Sequence, residues 1–172
     1  LGIGAGFALF LIYALLAVEF QSYLQPFYIL VAVPFGVAGA IIGHFVTGLS
    51  FSMPSVMGVL ATAGVVVNAN LVLIDCINKH RDQSLSIIDA VVTAARERLR
   101  PIVLTSITTF FGLMPIMVER SPAAAVLKPV VVSLSFGVLF ATTITLLMVP
   151  ALYLKLETLM LRLGFKQRAG MD

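Results

Sequence analysis

Three polar side chains interrupt one of the most apolar stretches of the sequence, GVVVNANLVLID, which runs from Gly64 to Asp75. Asn68 and Asp75 are seven residues apart, so on a helix they point within about 20° of each other, whereas Asn70 points the opposite way. An amide away from water needs a hydrogen-bond partner. The pattern leaves two interpretations of Asn68 open, a contact between helices or a part in proton transfer. Asp75 is more typical of an ion pair or a helix cap.

A second set of polar side chains follows helical spacing. Thr105, Thr108, Thr109 and Gly112 sit at i, i+3, i+4 and i+7, which places them on one face of a helix. Small and hydroxyl residues are common where membrane helices pack, and such hydrogen bonds contribute about 0.6 kcal/mol each. Packing is therefore the simpler interpretation of each hydroxyl taken alone.

The remaining reactive residues form no motif of catalysis or metal binding. The sequence has no CxxC, HExxH, GxSxG or phosphate loop, one cysteine, Cys76, and two histidines, His44 and His80. A metal site would need further ligands, and Cys76 is interpreted as a small buried apolar residue. We expect no enzyme activity, no metal and no cofactor.

The composition is that of an integral membrane protein. Of the 172 residues 60% are hydrophobic and 11% charged, and the mean hydropathy is +1.07, whereas soluble domains are about 45–50% apolar and about 25% charged. The net charge of +3 calls for no nucleic-acid partner, because the basic residues cluster beside apolar runs. Since apolar sequence begins at once from Leu1, we expect residues 1–172 to be one piece of a longer protein.

Five apolar segments approach the roughly 20 residues that a helix needs to cross a bilayer. They cover approximately residues 2–19, 26–47, 54–78, 101–118 and 127–154. Prolines at positions 26, 54, 101 and 129 are expected in first helical turns, where the missing N–H costs nothing. The sequence predicts an all-α membrane protein with five transmembrane helices.

Residues 86–99 differ from these spans. Ser86 followed by Asp89 resembles a helix-starting box, and apolar residues then recur at helical spacing up to Leu99. The segment is too short to span, so we predict a short amphipathic helix along the membrane interface. A calmodulin-type target helix is the alternative, and it is disfavoured by the flanking spans.

The basic residues predict the orientation of the spans, because loops on the cytoplasmic side are enriched in Lys and Arg. Only Arg120 and Lys128 fall between the last two spans. The other nine follow the third span, precede the fourth or follow the fifth: Lys79, Arg81, Arg96, Arg98, Arg100, Lys155, Arg162, Lys166 and Arg168. With alternating spans these nine share one side, which we expect to be cytoplasmic.

The order of these features resembles the C-terminal membrane half of exporters of the resistance–nodulation–cell division (RND) superfamily, in its multidrug, hydrophobe/amphiphile branch. The likeness covers nearly the whole chain and is carried by Glu19-Phe20-Gln21-Ser22-Tyr23, Pro26-Phe27, Val33-Pro34-Phe35-Gly36, Gly64-Val65-Val66-Val67-Asn68, Leu73-Ile74-Asp75, Arg98-Leu99-Arg100-Pro101-Ile102, Leu104-Thr105-Ser106, Gly112-Leu113-Met114-Pro115 and Val149-Pro150-Ala151-Leu152-Tyr153. The spans would then be the eighth to twelfth of twelve.

The resemblance implies a proton-driven antiporter, with the proton motive force in place of a cofactor. It implies a trimer in the inner membrane of Gram-negative bacteria, completed by a periplasmic adaptor and an outer-membrane channel. Asn68, Thr105 and Arg98 match positions of the family's proton relay. Asn70, Asp75, Thr108 and Thr109 are possible supporting polar residues. The acidic relay residues would belong to the N-terminal half of the transporter.

Two alternatives stay open on sequence alone. One is a stand-alone membrane scaffold or assembly subunit of five spans, and the other is a lipid- or protein-export relative within the superfamily. The Arg-Pro-Ile and Thr-Ser motifs fit the multidrug branch better. The resemblance also implies that substrate selectivity lies mainly in regions outside these spans and the short loops that join them.

Overall fold

Helices and the short turns between them make up the part of the chain that the structure describes, a computed structural model that covers residues 2–23, 25–82 and 86–162. Six helices follow one another, and no strand occurs within these ranges. The all-α prediction is confirmed. The helices are α1 Gly2–Glu19, α2 Gln25–Leu30, α3 Val33–Thr47, α4 Met53–Asp82, α5 Ile87–Val118 and α6 Pro122–Arg162.

Four helical segments are long and apolar enough to cross a membrane, namely Gln25–Thr47, Met53–Arg81, Ile87–Val118 and Pro122–Leu156. The first predicted span corresponds to α1, in which Gly6–Glu19 is a shorter apolar helix. At 18 residues the whole of α1 is about 27 Å long, slightly less than the hydrocarbon layer. It packs mainly against α2.

The second predicted span is divided by Pro34. Proline has no N–H to donate to the carbonyl four residues earlier, so the helix ends at Leu30. The backbone makes a tighter turn instead, in which the N–H of Ala32 bonds the carbonyl of Ile29 at 3.3 Å and the N–H of Phe35 bonds that of Ala32 at 3.2 Å. The helix resumes as α3 and ends at Gly48, whose φ of 68° suits a residue without a side chain.

The predicted interfacial helix does not stand apart from the fourth span. Both belong to α5, which runs without a break from Ile87 to Val118 and contains Pro101. Its start is as expected, since the Ser86 hydroxyl oxygen accepts the backbone N–H of Asp89 at 3.2 Å. Pro129 likewise lies inside α6. Prolines are tolerated inside membrane helices because neighbouring groups satisfy the freed carbonyls.

Helix α6 is the centre of the bundle, in contact with α3, α4 and α5. Small residues bring the backbones together. A Cβ atom added at Gly39 would lie 2.6 Å from the carbonyl oxygen of Phe136 and from the Cβ of Phe140, both on α6. A Cβ atom added at Gly58 of α4 would lie 2.6 Å from the Cβ of Ser133. Helices α3 and α4 are thus packed directly on the α6 backbone.

These contacts predict that Gly58→Ala destabilises the chain, whereas Gly64→Ala on the same helix does not. Nothing lies within 4 Å of a Cβ added at Gly64, and overpacking of a filled contact costs about 1–3 kcal/mol. Thermal unfolding of the chain in detergent would measure the difference. Equal melting temperatures for the two variants would contradict the close approach of α4 and α6.

Candidate functional site

One end of the bundle collects the basic residues, and we call it the basic end. The Arg81 guanidinium donates to the Tyr153 hydroxyl at 3.0 Å, which joins the end of α4 to α6. His80 Nε2 lies 3.0 Å from a carboxylate oxygen of Glu97, which joins the end of α4 to the first third of α5. The end of α4 thus contacts the first third of α5 and the later part of α6. These contacts agree with the alternating directions of the spans that the Lys and Arg residues predicted.

Asn68 and Thr105 lie at similar depth in the bundle. Asn68 is eight residues before Cys76 and Thr105 is eight after Glu97, and the Cys76 Sγ lies 3.5 Å from a Glu97 carboxylate oxygen. Since α4 and α5 run in opposite directions, each residue is about 12 Å from this contact along its own helix, toward the middle of the membrane. Both side chains are exposed on the surface of the chain.

The two exposed residues differ in how their polar groups are satisfied. The Thr105 hydroxyl donates to the carbonyl of Pro101 on its own helix at 2.8 Å. The Thr108 hydroxyl, also exposed, donates to the carbonyl of Leu104 at 2.9 Å. Within the described residues the Asn68 side chain makes no hydrogen bond, to Thr105 or to any other residue. Its amide is thus available to a partner outside this chain.

The other predicted polar residues take several environments. Asn70 is buried, as its opposite projection requires, and its Nδ2 has no partner among the described residues. Asp75 pairs with Lys79 at 2.7 Å, which confirms the ion-pair interpretation. Thr109 is half-buried. Arg98 is also half-buried, and its side chain lies beside Cys76 at the basic end.

Helices α4 and α5 leave an open surface of small and polar residues. Gly64 of α4 and Gly112 of α5 would each meet nothing within 4 Å if they carried a Cβ atom. In an apolar stretch of 18 residues within each helix, only 6% of the residues of α5 are buried, against 44% for α4 and 50% for α6. We define Gly64, Asn68, Thr105, Thr108 and Gly112 as the open polar surface.

A polar network at the basic end was not expected from the sequence. The Asn78 amide donates to the Gln25 side-chain oxygen at 2.9 Å, and the Tyr153 hydroxyl donates to Asn78 Oδ1 at 3.1 Å. These bonds join α4 to α2 and α6. The signal in the sequence is one amide at the end of an apolar run, which does not reveal its partners far along the chain.

Two histidine environments were also missed. His44 is buried, and its Nδ1 donates to the carbonyl of Ala40 at 2.9 Å while Nε2 lies 2.8 Å from the Ser55 hydroxyl, contacts that the sequence did not reveal. His80 lies beside Cys76 and Glu97, and one ligand atom of each lies within 4.8 Å of the others. The sequence separates Glu97 from Cys76 by a loop, so spacing alone could not bring them together.

These features define a multi-pass, all-helical membrane protein with polar residues open at mid-depth. The sequence profile of the AcrB/AcrD/AcrF family matches residues 3–157. The chain therefore belongs to this family of RND transporters, and the resemblance to the RND superfamily drawn from its motifs is confirmed.

Individual relatives cover most of the chain. It is 35% identical over 154 residues to the swarming motility protein SwrC of Bacillus subtilis, covering 89% of this chain and 15% of that protein. It is 35% identical over 124 residues to the nickel and cobalt resistance protein CnrA of Cupriavidus metallidurans, covering 72% of this chain and 12% of that protein. It is 29% identical to the multidrug resistance protein MdtC of Edwardsiella ictaluri over 159 residues, or 92% of this chain and 15% of that protein.

A solved structure agrees with the fold. The crystal structure of a heavy metal efflux pump matches with a TM-score of 0.75 and 32% identity, over 89% of this chain and 15% of that one. The chain thus spans about one seventh of the length of the relatives that it matches.

The polar network generates a prediction in which two asparagines of one helix serve as a matched pair. Asn78→Leu removes hydrogen bonds that join three helices and should destabilise the chain by about 1–3 kcal/mol. Asn68→Leu removes no bond within the described chain and should leave its stability unchanged. Thermal unfolding in detergent distinguishes the two, and a larger loss for Asn68→Leu would contradict the placement of these side chains.

Proposed function

We propose that this chain is the membrane part of a proton-driven RND efflux transporter in a bacterial inner membrane. In this proposal Asn68, Thr105 and Arg98 contribute to the proton relay. The observation that carries the proposal is the exposure of Asn68 near the middle of the Met53–Arg81 span, level with Thr105.

The exposed amide of Asn68 favours a protein partner over lipid. A polar amide placed in an apolar medium without a hydrogen bond costs about 2–7 kcal/mol. The open glycines on the same surface would let another helix approach closely. The chain covers about 15% of the length of its relatives, so the N-terminal half of the same transporter is the natural source of that partner.

The titrating groups of the relay must come from that partner. Within the four long spans no Asp or Glu lies near mid-depth, because Asp75, Asp89 and Glu97 all lie toward the basic end. Proton carriers inside membranes are ordinarily acidic or histidine side chains. Carboxylates of the N-terminal half would accept hydrogen bonds from the Asn68 amide when ionised and lose them when protonated. That change would bias rocking of the two halves about a midplane site.

The other polar residues contribute to this proposed relay to different degrees. Thr108 shares the open polar surface with Thr105, and Thr109 follows it half-buried. Arg98 stands at the basic end, where protons would exchange with water. Asn70 and Asp75 are turned into the bundle and toward Lys79 respectively, so their contribution would be to hold α4 in place.

Drugs and other amphiphiles are the proposed substrates, with divalent metal cations as the second candidate. The multidrug resistance protein MdtC supports the first, and the nickel and cobalt resistance protein CnrA supports the second. A homotrimer that works with a periplasmic adaptor and an outer-membrane channel completes the proposal. Growth of producing cells on dyes and detergents, compared with Ni²⁺, Co²⁺ and Zn²⁺, would separate the two substrate classes.

Asn68→Leu in the complete transporter should abolish efflux without lowering the amount of protein in the membrane. The apolar side chain cannot donate a hydrogen bond to an ionised partner. Proton flux into reconstituted vesicles under a pH gradient is the measurement, because it does not require the substrate to be known. Normal flux in this variant would refute the role of Asn68.

The relay position of Thr105 can be tested against a threonine of the same local geometry. Thr143 of α6 is also exposed, and its hydroxyl donates to the carbonyl of Leu139 at 2.9 Å, as Thr105 does to Pro101. Thr105→Val should lower proton flux about 100-fold or more, the lower end of the scale of proton-transfer contributions, whereas Thr143→Val should leave it unchanged. Equal effects would assign Thr105 a packing role only.

A further inference from the structure

The basic end of the bundle holds three potential metal ligands from two helices. Cys76 and His80 are one helical turn apart on α4, so they share a face, and Glu97 of α5 lies opposite. The Cys76 Sγ is 3.5 Å from Glu97 Oε2, and the His80 Nε2 is 3.0 Å from the same oxygen. One ligand atom from each residue lies within 4.8 Å of the other two.

We propose that Cys76, His80 and Glu97 form a binding site for a divalent transition-metal cation of the Zn²⁺ type. A tetrahedral Zn²⁺ holds S, N and O ligands at about 2.0–2.3 Å, so its ligand atoms lie about 3.3–3.7 Å apart. The separations of 3.5 Å and 3.0 Å are close to this range, and Cys76 Sγ and His80 Nε2, which lie within 4.8 Å of each other, can approach by side-chain rotation. This proposal does not depend on the proposed transport function.

The ligand types select the class of metal. Thiolate and imidazole favour Zn²⁺ and its neighbours Co²⁺ and Ni²⁺ over Mg²⁺ and Ca²⁺, which prefer oxygen ligands. On binding, the cation takes the place of two protons: the thiol proton of Cys76, which passes to solvent, and the Nε2 proton that His80 donates to Glu97, which is replaced through solvent by a proton on Nδ1, so that the imidazole stays neutral. The two anionic ligands neutralise the two charges of the cation, and the guanidinium of Arg98, which lies beside Cys76, favours the thiolate form of Cys76.

Burial differs among the three ligands in a way that suits an exchangeable cation. Cys76 is 5% exposed, whereas the side chains of His80 and Glu97 are 17% and 54% exposed. Glu97 therefore offers an entry path from water, and the thiol forms the inner wall. Three protein ligands leave the fourth tetrahedral position to water or to an exogenous ligand.

Co²⁺ titration of the reduced chain in detergent tests the site, since thiolate coordination gives a near-ultraviolet charge-transfer band. We expect one Co²⁺ per chain with this band, and displacement of Co²⁺ by Zn²⁺. Cys76→Ser should abolish the band, and Glu97→Gln should weaken Zn²⁺ binding at least about tenfold, since even outer partners of metal ligands contribute that much. Asp75→Asn, which removes the neighbouring carboxylate of α4, should leave binding unchanged.

Alkylation of Cys76 by a maleimide provides a second measurement without any substitution. Zn²⁺ should slow the reaction of the native chain and Mg²⁺ should not. Absence of the charge-transfer band, or equal alkylation rates with the two cations, would overturn the proposal. Zn²⁺ binding that Glu97→Gln and Cys76→Ser leave intact would likewise show adventitious binding at exposed groups only.

Discussion

The structure depends on one constraint, that a polar group inside a bilayer must find a partner within protein. The helices satisfy it for the backbone, and the hydroxyls of Thr105, Thr108 and Thr143 satisfy it on carbonyls of their own helices. Two asparagines of α4 do not, because the exposed amide of Asn68 bonds to nothing in the described chain and the Nδ2 of the buried Asn70 has no partner there. In the proposed transporter, the exposed amide of Asn68 would make this side of α4 an interface with another part of the protein.

The same constraint operates at the two ends of the bundle, where the polar side chains do find partners within the chain. At the basic end, Gln25, Asn78 and Tyr153 satisfy one another across three helices. At the opposite end, His44 and Ser55 do so across two. The bonds of both clusters lie within the described chain, whereas Asn68 and the Nδ2 of Asn70 have no partner there.

The sequence predicted those features that depend on local periodicity. The opposite projection of Asn68 and Asn70 follows from residue spacing alone, and the structure exposes the first and buries the second. The cap formed by Ser86 was likewise predictable, because its partner Asp89 is three residues away. Motifs spread along nearly the whole chain were sufficient to indicate the RND family, which the profile match confirmed.

What the sequence could not predict depends on contacts between distant segments or on context. Pro101 was expected to begin a helix, but α5 continues through it, as membrane helices can where neighbouring groups satisfy the freed carbonyl. Pro34 does interrupt its span, so a proline alone does not decide the outcome. The meeting of Cys76 with Glu97 requires α4 and α5 to lie side by side at a particular register, and residue spacing contains no such information.

The glycine contacts of α3 and α4 with α6 have a mechanical consequence. At Gly39 and Gly58 the backbone of one helix lies directly against the backbone of another. Backbone atoms cannot move aside by a change of rotamer, so these contacts resist sliding of the helices. These three helices should therefore move as a single rigid block. The apolar stretch of α5 is almost unburied, so α5 has fewer such close contacts. Sliding of one helix along another should therefore meet the least resistance at α5.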